Sequence, residues 1–180
     1  MEMSSNPESI IFIDADGVWR WLSGPVALAQ QGSITDGINT HAIDLLNRLA
    51  EETESCFVIS SSWRTTGSSE EVIDEHVKHG FKKELFHPTD SCTGPVLRKR
   101  ANEIVEWLAR HVEVKNYVAV DDERPKIPKA VKIDGNLGFN IYNYNHCCRL
   151  LGQPEKQLQL KYYSPQTVRR KARLAAAKPS

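Results

Sequence analysis

Four short apolar runs punctuate the chain: 10–13 (IIFI), 56–60 (CFVIS), 117–120 (YVAV) and 131–133 (VKI). Runs of this length fit strands buried on both faces, as in a parallel sheet covered by helices. Between them the apolar spacing turns helical. Over 39–53, Ile43, Leu46, Leu49 and Ala50 share one face. Over 96–111, Leu97, Ala101, Ile104, Val105 and Leu108 do the same. Ser69 is placed to cap a third helix, acidic in its first turn at Glu70 and Glu71 and stopped at Gly80. Ser164-Pro165 opens a terminal helix with proline at the favoured first position. Tyr142, Tyr144 and the asparagines between them read as a loop before a short helix ending at Gly152. Strands alternating with helices predict an α/β fold with a central parallel sheet.

The polar residues at the ends of these runs change the picture. The first run leads straight into Asp14 and Asp16, and then Gly17. The plain reading is an Asp-Gly turn closing a hairpin. The third run, however, also ends in carboxylates, Asp121 and Asp122, and the second ends in Ser60, Ser61 and Ser62. Ligands of open α/β sheets bind beyond the carboxyl ends of the strands, where the strand order reverses. If the first and third runs are neighbours, their ends lie about 4.8 Å apart. Ionised carboxylates at such distances repel by roughly 4 kcal/mol per pair at an effective dielectric near 20. A divalent cation removes that cost, and oxygen ligands suit magnesium.

Composition adds an asymmetry. The chain has 180 residues, enough for one domain with a real core, and its 23 Lys and Arg balance 23 Asp and Glu. Every acidic residue lies at or before Glu155, so residues 1–155 carry −7 and residues 156–180 carry +7. The reading is a body over 1–155 and a basic, partly helical extension over 156–180, able to reach an anionic partner such as nucleic acid or to dock on the acidic body. No segment approaches the roughly 18 apolar residues of a membrane helix, and the polar start reads as no secretory leader. Cys56, Cys92, Cys147 and Cys148 lack metal-ligand spacing and read as reduced thiols of a cytoplasmic protein. His76 and His79 read as residues of a surface helix, with a zinc site there the weaker alternative.

With these endings in order, the sequence resembles the haloacid dehalogenase (HAD) superfamily of phosphotransferases. Asp14-Ala15-Asp16-Gly17-Val18 looks like its first motif, a serine of "SSSWR" like its second and Asp121-Asp122 like its fourth. Within the superfamily, "SSWRT", "RANEIVEWL" and "YVAVDD" are most similar to the phosphatase-type domains of RNA-repair proteins and polynucleotide 3′-phosphatases. The resemblance covers roughly residues 9–152. It implies a Rossmann-like three-layer α/β/α sandwich and magnesium-dependent hydrolysis of a phosphomonoester through an aspartyl-phosphate. The intervals between the motifs leave no room for a large cap domain, so a bulky phosphorylated end could enter.

The resemblance assigns Asp14 as nucleophile and metal ligand, and Asp16 as general acid and base with its backbone carbonyl on the metal. Asp121 and Asp122 complete the metal site. Ser61 matches the phosphate-binding serine, with Ser60 the alternative and Ser62 beside it. The third motif, usually a lysine, departs from the pattern: Arg98, Lys99 and Arg100 are the candidates. Helical phase turns Lys99 away from the apolar face and leaves Arg98 and Arg100 flanking it; the family resemblance, at seven residues before Trp107, favours Arg100. Trp19, Arg20, Trp63 and Arg64 are possible substrate contacts, and Trp21 completes the Trp19-Arg20 flap; both tryptophans fit base stacking or core packing equally. Trp107 reads as core. The leading substrate is a nucleic-acid end or nucleotide. The alternatives are a phosphoprotein phosphatase, a non-catalytic phosphate-binding regulatory module of the same fold, and a metal-dependent nuclease. The nuclease gives no role to the Asp14–Asp16 spacing.

Overall fold

The computed structural model describes residues 7–20, 37–62, 67–93, 99–123 and 125–159. Four strands form one sheet: β1 (Ser9–Ile13), β2 (Cys56–Ile59), β3 (Asn116–Asp121) and β4 (Ala130–Lys132). Their order is β2-β1-β3-β4 and every pairing is parallel. The chain therefore builds to one side of β1 and then crosses to the other. That reversal makes the seam between β1 and β3 the switch point where a ligand site forms.

Period-two alternation divides the sheet residues between two cores. Ile11, Ile13, Phe57, Ile59, Val118 and Val120 pack on one face, under α1 (Thr40–Glu52) and α4 (Ile141–Leu150). Ile10, Phe12, Val58 and Ala119 pack on the other, under Ile104 and Trp107 of α3 (Arg100–Arg110). The result is the three-layer α/β/α arrangement. Ile43, Leu46, Leu49 and Ala50 are buried as their spacing requires, and the Asn39 side chain caps α1 by accepting from Ala42 N–H at 3.0 Å. No helix among the described residues is long and apolar enough to cross a membrane.

Several local expectations shift. The helix α2 (Ser69–Lys78) is capped by Ser68, one residue before the expected Ser69. Ser68 and Glu71 form a reciprocal capping box, Oγ accepting from Glu71 N–H at 3.3 Å and Oε2 from Ser68 N–H at 2.7 Å. On α3 the buried face is Glu103, Ile104 and Trp107, whereas Val105 is 55% exposed, because the helix turns its Trp107 edge to the sheet. Leu97 and the expected start of that helix fall outside the described residues. Tyr142 and Tyr144 lie inside α4: Asn140 caps it and Asn143 returns the bond, so the asparagines start a helix. His76 is fully buried, against Trp19, Phe81 and Phe86, and burial pushes its pKa down to about 4. It is a core residue.

The described chain remains tied to the body past residue 155. Leu158 N–H donates to Asn145 Oδ1 at 2.8 Å, and Asn145 Nδ2 donates to the Leu158 carbonyl at 3.0 Å. Ser164-Pro165 and the basic stretch after it lie outside the described residues.

Candidate active site

Asp14 leaves β1 while its N–H still donates to the Val120 carbonyl at 3.0 Å, so it sits directly on the β1–β3 seam. Its side chain is buried. Oδ1 accepts from Ala15 N–H at 2.8 Å, Oδ2 accepts from Arg100 Nη1 at 2.7 Å, and the Ser61 hydroxyl also bonds the carboxylate. Arg100 opens α3, and the same Nη1 donates to Asp121 Oδ2. Asp121 ends β3, buried, with Oδ1 accepting from Glu123 N–H at 2.7 Å. The seam thus joins the first, second and fourth motifs to the arginine favoured for the third.

One carboxylate oxygen each from Asp14, Asp121 and Asp122 lie within 4.8 Å of one another. Gly17 makes this packing possible. Its φ is +70°, and a Cβ there would stand 2.7 Å from Asp122 Cβ, so only glycine fits between the first and fourth motifs. Three hard oxygen donors on one point fit a magnesium-type ion. The charge balance fits too. Burial raises Asp14 from 3.8 to about 6, even though Arg100, the Ala15 N–H and Ser61 pull it down. Burial also raises Asp122, with Asp121 and Glu123 adding to the shift. The cluster is short of positive charge with Arg100 alone.

A consequence for stability follows. An acid whose pKa is higher folded than unfolded favours folding when protonated, and its ionisation between the two values erodes stability. For Asp14 that window runs from about pH 4 to about pH 6. The full shift is worth about 3 kcal/mol. In metal-free protein at pH 7.5, Asp14→Asn should therefore melt higher than wild type, and the gap should close by pH 4. Added magnesium should narrow it at pH 7.5 by stabilising the wild type. Thermal melts in chelator and in magnesium read this directly, and a gap equal at both pH values would sink it.

The remaining expected residues divide. The Asp16 carboxylate stands apart from the three-carboxylate cluster, with Oδ1 3.4 Å from Arg20 Nη1. Arg20 is partly exposed on the same turn. Ser60 Oγ donates to the Ile13 carbonyl at 3.1 Å, so of the two serines it is Ser61 that lies beside Asp14. Ser62 is exposed at the turn that follows. Trp19 corrects an expectation. It is fully buried, its ring 5.0 Å from His76 and 5.3 Å from Phe81, so it is core and cannot stack on a substrate. Trp107 is buried as expected, with Nε1 donating to the Asp90 carbonyl at 3.1 Å. Trp21, Trp63, Arg64 and Arg98 fall outside the described residues.

Sequence reasoning missed two features. The first is an open cleft of about 530 Å³ lined by Asp122, Lys132, Ile133, Asp134 and Gly135. Only the short strand end before Asp134-Gly135 hinted at it. The second is a cluster of His87, His111 and Glu113 away from the seam. The hydrogen bonds of His87 disfavour a metal, although His111 donates Nδ1–H to the Trp107 carbonyl at 2.9 Å and keeps its Nε2 lone pair. His87 Nδ1 accepts from Thr89 N–H at 3.4 Å and Asp90 N–H at 3.0 Å, which leaves the proton of a neutral ring on Nε2. A ligating imidazole needs the reverse, a lone pair toward the metal and a donor at its other nitrogen.

Comparison with known families agrees with this geometry. The model of the HAD domain in Swiss Army Knife RNA repair proteins matches residues 10–143, which contain the whole seam from Asp14 to Asp122. No curated protein and no solved structure matches the chain. The match spans most of the chain, and the parallel sheet brings Asp14, Ser61, Asp121 and Asp122 within it to one switch point. The chain belongs to the family of HAD domains found in Swiss Army Knife RNA repair proteins.

Proposed function

We propose that this domain is a magnesium-dependent phosphomonoester hydrolase, working through an aspartyl-phosphate on Asp14 and acting on a nucleic-acid-end or nucleotide phosphate. The observation that carries this reading is the buried Asp14 carboxylate, held by Arg100 at 2.7 Å within a cluster of three carboxylates. A structural ion pair would not need two further carboxylates crowded onto it, since each adds repulsion.

The residues divide the reaction as follows. An Asp14 oxygen attacks phosphorus as the bond to the leaving oxygen breaks, and Asp16 gives that oxygen a proton. Water then attacks phosphorus as its bond to the Asp14 oxygen breaks, Asp16 takes the water's proton, and the Asp14 carboxylate is regenerated as inorganic phosphate leaves. The separation of Asp16 from the three-carboxylate cluster supports this division, because a proton carrier must not be locked in the metal's donor set. Ser61 and Arg100 donate to the phosphoryl oxygens and keep Asp14 oriented. Magnesium held by Asp14, Asp121, Asp122 and the Asp16 carbonyl would neutralise the charge on the transferring group. The buried thiols Cys147 and Cys148, with pKa values raised by burial, suit a reducing cytoplasmic setting.

A phosphate-release screen tests the reading. It should cover 3′- and 5′-phosphorylated oligonucleotides, nucleotides, phosphopeptides and sugar phosphates, each with magnesium and with chelator. Release from oligonucleotide or nucleotide phosphate that chelator abolishes is the expected result; preference for phosphopeptides would reassign the substrate. The basic extension belongs to the same proposal. Residues 165–180 carry five of the seven positive charges after Glu155. Deleting them should weaken activity on a phosphorylated oligonucleotide at low salt and spare a small aryl phosphate. Equal loss on both would mark the extension as structural.

A further inference from the structure

The cleft beside the carboxylates says which leaving group the site takes, an inference that rests on the reading above. β4 pairs with β3 so that Lys132 is the register partner of Asp121. Register partners share a sheet face, and the neighbours of Lys132, Val131 and Ile133, are buried in the opposite core. Lys132 therefore lies one strand, about 4.8 Å, outward from Asp121 on the face that carries Arg100. It is exposed, and no ion pair engages it among the described residues.

The cleft lies between Lys132 and Asp122, and Gly135 in its lining packs against Gly17, the residue after Asp16. Gly135 forms its wall: a Cβ there would be 3.5 Å from Gly17 Cα and 3.6 Å from Asp122 Oδ2. Asp16, the proton donor to the leaving group in the proposed reaction, immediately precedes Gly17. The cleft thus opens from Asp122 of the carboxylate cluster beside the first-motif turn, where a leaving alcohol protonated by Asp16 can continue away from the scissile phosphate. Among the described residues its lining holds one cation, Lys132, beside Asp122 of the metal cluster and Asp134. Asp134 Oδ1 accepts from Asn136 N–H at 2.9 Å and so closes the turn that follows.

We infer that this cleft receives the nucleotide bearing the scissile phosphate, and that Lys132 binds the phosphodiester joining it to the next nucleotide. The substrate is then a polynucleotide end, and a mononucleotide or a phosphorylated side chain lacks the group that Lys132 reads. Lys132 is a specificity residue, and Asp134 opposes it electrostatically.

The test uses the full chain and three variants, Lys132→Ala, Lys132→Glu and Asp134→Asn, the last keeping the turn-forming acceptor. Activity is expressed as kcat/KM on a terminally phosphorylated oligonucleotide relative to that on a small aryl phosphate, with magnesium at low salt. Lys132→Ala should lower the ratio roughly three- to tenfold, mainly through KM, and reduce the salt slope by about 0.7. Lys132→Glu should lower it further, and Asp134→Asn should raise it. Binding of the same oligonucleotide, measured by fluorescence anisotropy, should follow the same order. An unchanged ratio in both Lys132 variants, or an equal KM effect on a phosphopeptide, overturns the inference. Should every substrate resist hydrolysis, the hydrolase reading fails, and the order of the four affinities still decides the role of Lys132.

Discussion

Asp14→Asn is expected to abolish magnesium-dependent phosphate release while leaving the fold intact. An amide oxygen is a poor nucleophile, and no other described carboxylate could replace it: Asp121 is held by Arg100 and the Glu123 N–H. Losing the nucleophile of a covalent mechanism removes roughly 10⁶ in kcat where it has been measured. The folded state should gain, because the amide removes an ionised group whose burial raises its pKa to about 6. The combination of a dead enzyme and a higher metal-free melting temperature separates this variant from one that has merely unfolded. Beryllium fluoride, which mimics the phosphorylated aspartate, should protect wild type and not the variant. Asp16→Asn should differ, losing roughly 10²–10⁴ in rate as general acid and base while keeping substrate binding and beryllium fluoride protection. Turnover by Asp14→Asn at the wild-type rate would end the covalent mechanism.

Arg100→Ala is expected to be the second most damaging change. The side chain is 22% exposed and bonds two buried carboxylates. Removing one positioned donor to a developing charge costs about 2.7–4 kcal/mol, or roughly 10²–10³ in rate. Asp14 responds as well. Arg100 is the largest influence holding its pKa down, so the alanine variant should move the acid limb of the activity profile to higher pH. Metal-free protein should also lose stability at neutral pH, since Asp14 and Asp121 then face each other unscreened, and magnesium should restore much of that loss. Arg100→Lys keeps one charge and should retain part of the rate. Lys99→Ala is the internal control: Lys99 is the exposed residue preceding α3 and has no side-chain capping bond, so its loss should be near neutral. A pH profile that does not move in Arg100→Ala would mean that the arginine acts on the substrate alone.

What could be read from the sequence was what depends on neighbours along the chain. Apolar runs without alternation identified the first three strands, because a strand covered on both faces cannot tolerate a polar residue every second position. The edge strand was read from Val131 and Ile133 on either side of the exposed Lys132. The acidic and hydroxyl residues at the ends of these runs were legible for the same reason: they fall where burial stops. Helix starts were less legible. Ser68 outcompeted Ser69 only because Glu71 could close the box, and Asn140 with Asn143 disguised the start of α4 as a loop, since asparagine serves both turns and caps.

Contacts between distant residues were decided by tertiary structure. Arg100 and Asp14 are 86 positions apart, and only the crossing of the chain from β2 over to β3 brings α3 to the seam. Helical phase could set Lys99 aside but could not say that one arginine would bridge two carboxylates. Trp19 shows the limit from the other side. Its sequence position beside the first motif suits a flap, yet His76 and Phe81, from α2 and the turn after it, enclose its ring and make it core. Lys132 was a plain charge at the end of a three-residue strand until its register with Asp121 placed it beside the site. Periodicity is set by the geometry of a single element, so the sequence alone determines which residues end strands and which face inward. Which of those ends meet depends on strand order and register, and these are settled by the packing of the whole domain.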